Sequence, residues 1–491
     1  MRHRSNFADL LATRTRQNNW SGRTAYIADD ISWTHGQVHD LAARTATVLS
    51  ERGVRPGDRV LLAAPDSIEW VVAFLAIARL GATAVLVNPE LNTGDHNTLL
   101  ADCDPKLCLS TAALADRFTS RTWLDVDHLV GSKAPDSAPC EAVDVSANSP
   151  LYIQYTSGTT GRPKGVVHAH GHPISYATCV GGDVLRIHPD DVSLSVSKMF
   201  WAYGFGNALV FPLFSGSAGV LSRHRLAAHE IAELVERHSV SVLYSVPSAY
   251  AALAETNARN SFRSVRAAVS AGETMPLPLA ERLPDALGFT ALEQIGSTEA
   301  GHAFCANTID HNVPGTIGQP VPGWELQLRD PAGGLAEPGS AGDLWVRGPT
   351  LFSHYLNQPR ATARTLVDGW LATHDRAVLG EDGAYRHVGR ADDMEMVGGI
   401  SLSPLEVERV LLTHPMVREA AVAAVRDHRQ ATKLRAFVVA SDTPELPDDL
   451  IALVRSQLPA FKVPRSVQVV PGLPRTPSGK LRRHVVRTGS W

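Results

Sequence analysis

The sequence of 491 residues contains little lysine. Seven of its 46 basic residues are lysines and the other 39 are arginines. The lysines are Lys106, Lys133, Lys164, Lys198, Lys433, Lys462 and Lys480. Because arginine fills nearly every other basic position, each retained lysine is a candidate for a task that needs a compact ammonium on a flexible stem.

The sequence also lacks an excess of charge of either sign. The net charge of −4 provides no basic face for nucleic acid or anionic lipid, so we expect neither a nucleic-acid partner nor a membrane partner. Apolar residues make up 44% and charged residues 20%, with 38 glycines and 31 prolines. These values exclude collagen, coiled coil and wholesale disorder, and they are typical of a globular protein.

Cysteine is scarce, and long hydrophobic runs are missing. The five cysteines form no CxxC pair and no zinc-like spacing, which predicts reduced thiols in a cytoplasmic protein. No apolar run of signal-peptide length follows the first charged residues. The most apolar stretch, 71–87, contains Arg79 and Gly81 and is too interrupted to cross a bilayer. We interpret it as a core helix that runs into a strand.

Helix and strand patterns alternate along the first part of the chain. A helix pattern at 38–49 precedes a strand pattern at 57–62, and a second helix pattern at 68–80 precedes a strand pattern at 82–87. The strand pattern recurs at 239–246 and 265–270. This alternation predicts a parallel sheet in an α/β layer architecture.

The remaining chain predicts two smaller units. Strand patterns in 322–348 alternate with glycine and proline turns, which indicates a small antiparallel β subdomain. Two helix patterns flank two strand patterns within 404–457, which predicts a small α+β domain. The expected fold is therefore α/β, with a large N-terminal domain at 1–390 and a small C-terminal domain at 391–491.

The strongest local feature is a loop at 155–165 that is rich in glycine and hydroxyl residues. Its sequence is Tyr-Thr-Ser-Gly-Thr-Thr-Gly-Arg-Pro-Lys-Gly, directly after the apolar residues 151–153. Backbone N–H groups and hydroxyls in such a loop can surround phosphate oxygens, and Lys164 adds a cation. The loop is not a Walker A motif, because Lys164 lies between Pro163 and Gly165 and no magnesium-binding hydroxyl follows it.

This loop resembles the phosphate-binding loop of the acyl-adenylate-forming ligases, which include acyl- and aryl-CoA synthetases, nonribosomal adenylation domains and beetle luciferases. Further motifs similar to those of the superfamily follow in order at 271–273, 296–299, 370–375, 389–393, 404–408 and 474–480. The resemblance covers nearly the whole chain. It implies a large adenylating domain followed by a small, mobile C-terminal lid.

The resemblance implies a reaction in two halves. A carboxylate attacks the α-phosphate of ATP with release of pyrophosphate, and a thiol then attacks the acyl-adenylate with release of AMP. The first half needs charge stabilisation at phosphorus more than it needs an acid or a base. The implied cofactors are ATP, Mg²⁺ and, as second substrate, coenzyme A.

The resemblance also implies how the nucleotide is bound. The β- and γ-phosphates would be held by Thr156, Ser157, Gly158, Thr159, Thr160, Gly161 and Lys164. The adenine slot would comprise Gly272, Glu273 and the segment from Gln294 to Gly296, with Ser297 beside it. Thr298 would contact the α-phosphate, and Glu299 would bind magnesium. Asp375 would accept hydrogen bonds from the ribose hydroxyls, and Arg390 would help to hold the ribose or a phosphate.

Four C-terminal residues take roles in the two halves of the reaction by the same resemblance. Lys480 would bridge the carboxylate and the α-phosphate during adenylation, since a lysine delivers a point charge that can be withdrawn. Asp392 would be the hinge of the C-terminal domain. Gly398 and Gly399 would line a pantetheine tunnel, where small residues allow close approach to the backbone.

The acid substrate is indicated by the segment 197–207, which contains no acidic residue to pair an amino group. Relatives that activate amino acids carry an aspartate in the corresponding stretch, so the resemblance argues against an α-amino acid, and the segment resembles that of benzoate-CoA ligases. The implied flat pocket is lined by Lys198, Trp201, Ala202, Tyr203, Gly296 and His302. Aromatic walls suit a ring and leave little room for a long alkyl chain. We expect Lys198 to meet a carboxylate or the substrate, because an unpaired buried ammonium is costly.

Several alternatives stay open at this point. In the leading hypothesis the acceptor of the acyl group is CoA. In a second hypothesis the acceptor is a carrier-protein thiol, or the enzyme is a diazotase that uses nitrite and an aromatic amine. In a third, the protein binds ligands without catalysing a reaction. His374 replaces a common glycine, Glu395 and Met396 replace an apolar-lysine pair, and the small pair at 300–301 would admit a substituted ring. Three alternating histidines, His168, His170 and His172, would share one face of a continuous strand, as metal ligands could. We expect a turn at Gly171 to break the strand, which argues against a metal site there.

Overall fold

The computed structural model describes residues 5–118, 121–133, 136–156, 163–391, 395–397, 400–426, 432–441, 443–475, 481–489 and 491. The α-helices are α1 Phe7–Gln17, α2 His35–Glu51, α3 Ile68–Arg79, α4 Thr93–Cys103, α5 Val126–His128, α6 Gly171–Tyr176, α7 Ala202–Gly204, α8 Phe211–Ser215, α9 Ala228–Arg237, α10 Pro247–Ala254, α11 Leu277–Leu287, α12 Pro359–Thr365, α13 Pro404–Leu411, α14 Leu446–Gln457 and α15 Arg483–Val486.

The strands are β1 Thr24–Ala28, β2 Ile31–Thr34, β3 Arg59–Ala63, β4 Thr83–Leu86, β5 Leu107–Ser110, β6 Trp123–Asp125, β7 Pro150–Thr156, β8 Lys164–Ala169, β9 Val192–Ser195, β10 Ala218–Leu221, β11 Val242–Ser245, β12 Ala267–Ser270, β13 Ala291–Gly296, β14 Ala303–Ala306, β15 Gln319–Pro320, β16 Glu325–Arg329, β17 Gly342–Arg347, β18 His354–Tyr355, β19 Leu366–Val367, β20 Trp370–Leu379, β21 Tyr385–Arg390, β22 Glu395–Val397, β23 Ile400–Leu402, β24 Val417–Arg426, β25 Thr432–Ala440 and β26 Ser466–Val469.

Two large, mainly parallel sheets form the N-terminal region. One has nine strands in the order β15-β14-β13-β12-β11-β9-β10-β1-β2, and the other has seven in the order β18-β8-β7-β4-β3-β5-β6. The sequence patterns at 38–49, 57–62, 68–80 and 82–87 are confirmed as α2, β3, α3 and β4, and those at 239–246 and 265–270 as β11 and β12. The α/β fold class is therefore confirmed.

The helix α3 shows why the apolar stretch at 71–87 belongs to a core. Ser67 caps its N-terminus by accepting from the backbone N–H of Trp70, and ten of the eleven residues 68–78 are apolar and buried, Glu69 being the exception. Its side chains share one hydrophobic core with strands of both large sheets. A helix that is apolar on every side is stable only when it is enclosed. Within the described residues, no helix is long and apolar enough to cross a membrane.

Two smaller units complete the fold. A five-stranded sheet of β16, β17, β20, β19 and β21 is antiparallel, which confirms the small β subdomain predicted around 322–348. The C-terminal region contains β24 antiparallel to β25, with β26 parallel to β25, and α13 and α14 packed on this sheet. The strand β21 ends at Arg390, next to the predicted domain boundary, which itself stays a prediction.

Candidate active site

The parallel strands of the nine-stranded sheet bring the candidate residues to one edge. The strands β11, β12 and β13 are parallel neighbours and end at Ser245, Ser270 and Gly296. The adenine-slot pair Gly272–Glu273 directly follows β12, and the turn with Thr298 and Glu299 directly follows β13. Ligands of open α/β sheets bind outside the carboxyl ends of the strands, so this edge is the candidate site.

A hairpin of the seven-stranded sheet supplies the phosphate end. The strands β7 and β8 pair antiparallel, with Thr156 opposite Lys164 at the base of the glycine-rich loop. The ammonium Nζ of Lys164 lies 5.0 Å from the ring centroid of Tyr355, and the Tyr355 hydroxyl donates to Oε1 of Glu299 at 2.7 Å. Burial, together with the charge of Glu299, raises the pKa of Tyr355, so this hydroxyl keeps its proton. Lys164 and Glu299 therefore both contact Tyr355, while the roles expected of them toward ATP stay predictions.

The turn between β13 and β14 is held from outside by backbone contacts. His168 Nε2 lies 2.7 Å from the carbonyl oxygen of Thr298, the Phe352 N–H donates to the carbonyl of Glu299 at 2.7 Å, and Thr350 Oγ1 donates to the carbonyl of Ala300 at 2.7 Å. These bonds fix the backbone on both sides of Glu299. Its carboxylate is thus presented by a rigid turn.

The three neighbouring histidines do not share one strand face. The strand β8 ends at Ala169 and α6 begins at Gly171, so the predicted break at Gly171 is present. His168 Nδ1 lies 2.9 Å from His172 Nδ1, whereas His170 Nδ1 accepts from the backbone N–H of Phe7. Burial lowers the pKa of His168 to about 3. Among the described residues, no group of three or more histidine, cysteine, aspartate or glutamate side chains could hold a metal ion.

Asp375 lies on β20 within a short chain of polar contacts. His387 Nε2 donates to Oδ1 of Asp375 at 3.1 Å, and His387 Nδ1 lies 2.9 Å from the hydroxyl of Thr274. Arg390 NH1 is 3.8 Å from the same carboxylate oxygen. His374, which replaces a common glycine, has φ of 62°, so it adopts the left-handed conformation that glycine ordinarily supplies.

The adenine-slot residue Glu273 is contacted from the C-terminal region. Arg475 NH1 donates to Glu273 Oε1 at 3.2 Å, while NH2 donates to Glu419 Oε2 at 2.6 Å. On the next strand, Glu293 is buried and accepts from the backbone N–H of Met275. Burial raises the pKa of Glu293 to about 8.

An aromatic cluster surrounds His302 beside this edge. The His302 ring stacks on Tyr176 at 5.5 Å and lies 4.9 Å from Phe211 and 6.0 Å from Tyr203 between ring centroids. Its Nε2 is 3.2 Å from Asn207 Oδ1. Burial lowers the pKa of His302 to about 3, so the ring is neutral under ordinary conditions. We call these four rings and Asn207 the aromatic cluster.

Two glycines allow the backbone to approach His302. A Cβ atom at Gly206 would overlap the imidazole ring, and a Cβ atom at Gly296 would overlap the His302 carbonyl. Any larger residue would therefore displace the ring or the strand. His302, Tyr203 and Gly296 are brought together, and Ala202 precedes Tyr203 in α7.

Two other predicted pocket residues have different contacts. The ammonium of Lys198 donates to the carbonyls of Ser222 and His224 at 2.6 and 2.7 Å. Backbone carbonyls after β10 thus accept from this ammonium, and the charge of Asp66 favours its protonated form, while the expected contact with the substrate stays a prediction. Trp201 is half-buried and its ring packs at 5.4 Å from that of Phe200.

Some predicted residues lie outside the described part of the chain. They are Ser157, Gly158, Thr159, Thr160, Gly161, Asp392, Gly398, Gly399 and Lys480. Conversely, Tyr355, His387, Thr274 and Arg475 were not predicted as site residues. Only Arg475 carried a signal, because it stands within the motif at 474–480; the others lie far along the chain from the groups they contact.

Comparison with protein families agrees with this geometry. Residues 13–356 match the model described as "AMP-binding enzyme", and residues 406–480 match the "AMP-binding enzyme C-terminal domain". Together these segments include the phosphate loop, the turn at 296–302 and the motif at 474–480.

Individual relatives and solved structures are similar over the whole chain. The p-hydroxybenzoic acid–AMP ligase FadD22 of Mycobacterium tuberculosis is 40% identical over 99% of this chain and 69% of its own length. The benzoate–CoA ligase of Thauera aromatica is 34% identical over 99% of this chain and 96% of its own. The crystal structure of the anthranilate CoA ligase AuaEII with anthranoyl-AMP superposes with a TM-score of 0.93, at 31% identity, covering 99% of this chain and 97% of that one.

Proposed function

Because the chain belongs to the family of AMP-binding, acyl-adenylate-forming enzymes, we propose that it is an ATP-dependent aryl-CoA ligase. It adenylates a benzoate-type aromatic acid and transfers the acyl group to coenzyme A. The family and the relatives support an AMP-forming ligase that activates aryl acids. The proposal adds the thiol acceptor and the residues that act.

A single observation supports the proposal. The turn from Gly296 to His302 carries Glu299, which accepts from the hydroxyl of Tyr355, and three residues later His302, which belongs to the aromatic cluster. A ring among these aromatics and a nucleotide phosphate near Glu299 would thus share one wall. The carboxylate of the acid then lies beside the α-phosphate, which is what in-line attack requires.

The first half-reaction follows from this arrangement. A carboxylate oxygen of the acid attacks the α-phosphorus, the bond to the β-phosphate oxygen breaks, and pyrophosphate leaves. Lys164 and the phosphate loop stabilise the departing charge. Asp375, held by His387, accepts from the ribose hydroxyls, and Lys480 bridges the acid and the α-phosphate.

Glu299 fits a magnesium ion that enters with ATP. One carboxylate together with phosphate oxygens is the usual protein contribution to such a site. Tyr355 donates to Oε1 and so orients the carboxylate. When bound, Mg²⁺ would neutralise charge on the phosphates.

In the second half-reaction the CoA sulfur attacks the acyl carbonyl, AMP leaves, and the thiol proton is released to solvent. A relative named as an AMP ligase favours a second candidate, in which the acyl-adenylate passes to another acceptor such as a carrier-protein thiol. A diazotase reaction with nitrite is the third acceptor class.

The test measures pyrophosphate release with benzoates, with and without CoA, and identifies products by mass spectrometry. We expect release of pyrophosphate that depends on an aromatic acid, together with an aryl-CoA product. If only aryl-AMP forms in the presence of CoA, the assignment of CoA as acceptor is refuted. The Lys480→Ala variant should lose adenylation but still convert a supplied aryl-adenylate and CoA into the thioester. Lys433→Ala, at an exposed lysine of the same domain, is the matched control. Equal loss of both half-reactions in Lys480→Ala would overturn the role of Lys480.

A further inference from the structure

The side chain of Gln294 is buried without any hydrogen-bond partner. The residue is 4% exposed, and neither Oε1 nor Nε2 meets a donor or acceptor among the described residues. A buried carboxamide that leaves both ends unsatisfied is costly, and native proteins rarely retain one without a ligand or water. Both polar ends of Gln294 are therefore open to a ligand or a water molecule.

Strand alternation determines the face on which this carboxamide lies. Successive side chains of β13 point to opposite faces. Glu293 accepts from Met275, which packs in the core on one side of the sheet, whereas Leu292 packs with Tyr244 and Val269 in the core on the other. Gln294 shares the face of Leu292.

The aromatic cluster packs on that same face. Tyr203 lies against the core that contains Tyr244 and Val269, and its hydroxyl donates to the carbonyl of Val269 at 3.2 Å. Val269 is paired in register with Leu292, two residues before Gln294. The carboxamide thus lies on the side of the sheet where the ring of the acid would bind, although the sequence resemblance assigned its segment to the adenine slot.

We propose that Gln294 is a specificity-determining residue that hydrogen-bonds a hydroxyl substituent on the ring of the aromatic acid. This inference rests on the proposed function. A phenolic hydroxyl can donate to Oε1 or accept from Nε2, whereas a ring C–H does neither. A second carboxylate on the ring would need a cation, and Lys198, which was expected to supply one, is bound to backbone carbonyls. The His302 ring is neutral. The pocket therefore suits a neutral polar substituent.

The experiment compares kcat/KM for pyrophosphate release with benzoate, with the 2-, 3- and 4-hydroxybenzoates and with the benzene dicarboxylates. In the wild-type protein one hydroxybenzoate should exceed benzoate by at least about tenfold, because a site built for a hydroxyl disfavours the analogue that lacks it. Gln294→Leu should lower kcat/KM for that isomer by about 10- to 100-fold and leave benzoate within about threefold.

The matched control is Ser270→Ala. The Ser270 hydroxyl is also buried and unpartnered, but it is paired in register with Glu293 and so points to the opposite face. This variant should leave the ratio of hydroxybenzoate to benzoate unchanged. If a thermal melt shows that Gln294→Leu does not fold, the Gln294→Met variant is used in its place, because methionine is apolar and unbranched and is longer than leucine.

Three results overturn the inference. They are a wild-type preference for benzoate or for a dicarboxylic acid, a parallel loss for all acids in the Gln294 variants, and a change in KM for ATP alone. The proposed function fails separately, and recognisably, if the wild-type protein releases no pyrophosphate with any aromatic acid.

Discussion

The contact between His387 and Asp375 leads to a quantitative prediction about ATP binding. Both side chains are about 12% exposed, and His387 Nε2 donates to Oδ1 of Asp375 at 3.1 Å. In His387→Ala the carboxylate loses this donor and its fixed orientation toward the ribose. Hydrogen bonds to charged groups contribute about 1.5–3 kcal/mol. At 1.4 kcal/mol per tenfold, KM for ATP should rise by about 10- to 150-fold.

Thr274 should act through His387 in the same measurement. Its hydroxyl lies 2.9 Å from Nδ1 and donates to it when Nε2 carries the proton that faces Asp375. Thr274→Val removes one neutral hydrogen bond, about 0.5–1.5 kcal/mol, so KM for ATP should rise by about two- to tenfold. In the His387→Ala background the Thr274→Val change should have no further effect, because the two residues act in one chain.

The assay is pyrophosphate release at varied ATP with saturating acid, and at varied acid with saturating ATP. His387→Gln is the control, since its amide can still donate to Asp375 and should recover most of the affinity for ATP. The reasoning is refuted if His387→Ala raises KM for the acid as much as KM for ATP. It is also refuted if the Thr274→Val effect persists without His387.

Two further predictions concern Arg475 and Glu293. Arg475 joins Glu419 to Glu273 through two ion pairs. Arg475→Ala should therefore slow pyrophosphate release about tenfold and make its rate less sensitive to salt, as measured at two ionic strengths. An unchanged salt dependence of the rate would contradict this. Burial raises the pKa of Glu293 from 4.5 to about 8, so its contribution to stability is full below about pH 4.5 and is lost as the pH rises through about 8. Glu293→Gln should therefore flatten the fall of Tm between these values, and parallel wild-type and variant curves would refute the shift.

Local patterns in the sequence were sufficient for the architecture. The alternation of short apolar segments of strand length with longer helical segments predicted α2, β3, α3 and β4. The phosphate loop and the turn with Glu299 were found because each is continuous in the chain. Lys164 and Glu299 then met through Tyr355, which no local pattern indicated.

Long-range contacts and side-chain direction were decided only by the tertiary structure. Thr274 and His387 are 113 residues apart, and Glu273 and Arg475 are 202 apart, so only the packing of separate sheets brings them together.

Lys198 shows the same division between sequence and fold. The cost of an unpaired ammonium correctly predicted a partner, but several partners satisfy that requirement, and the turn after β10 supplies carbonyls.

The chemistry of this protein was thus determined by residue types in short motifs, since phosphate and carboxylate binding depend on local donors. The preference proposed for a ring hydroxyl rests on the face of β13 to which Gln294 points, and strand alternation within the folded sheet decides that face.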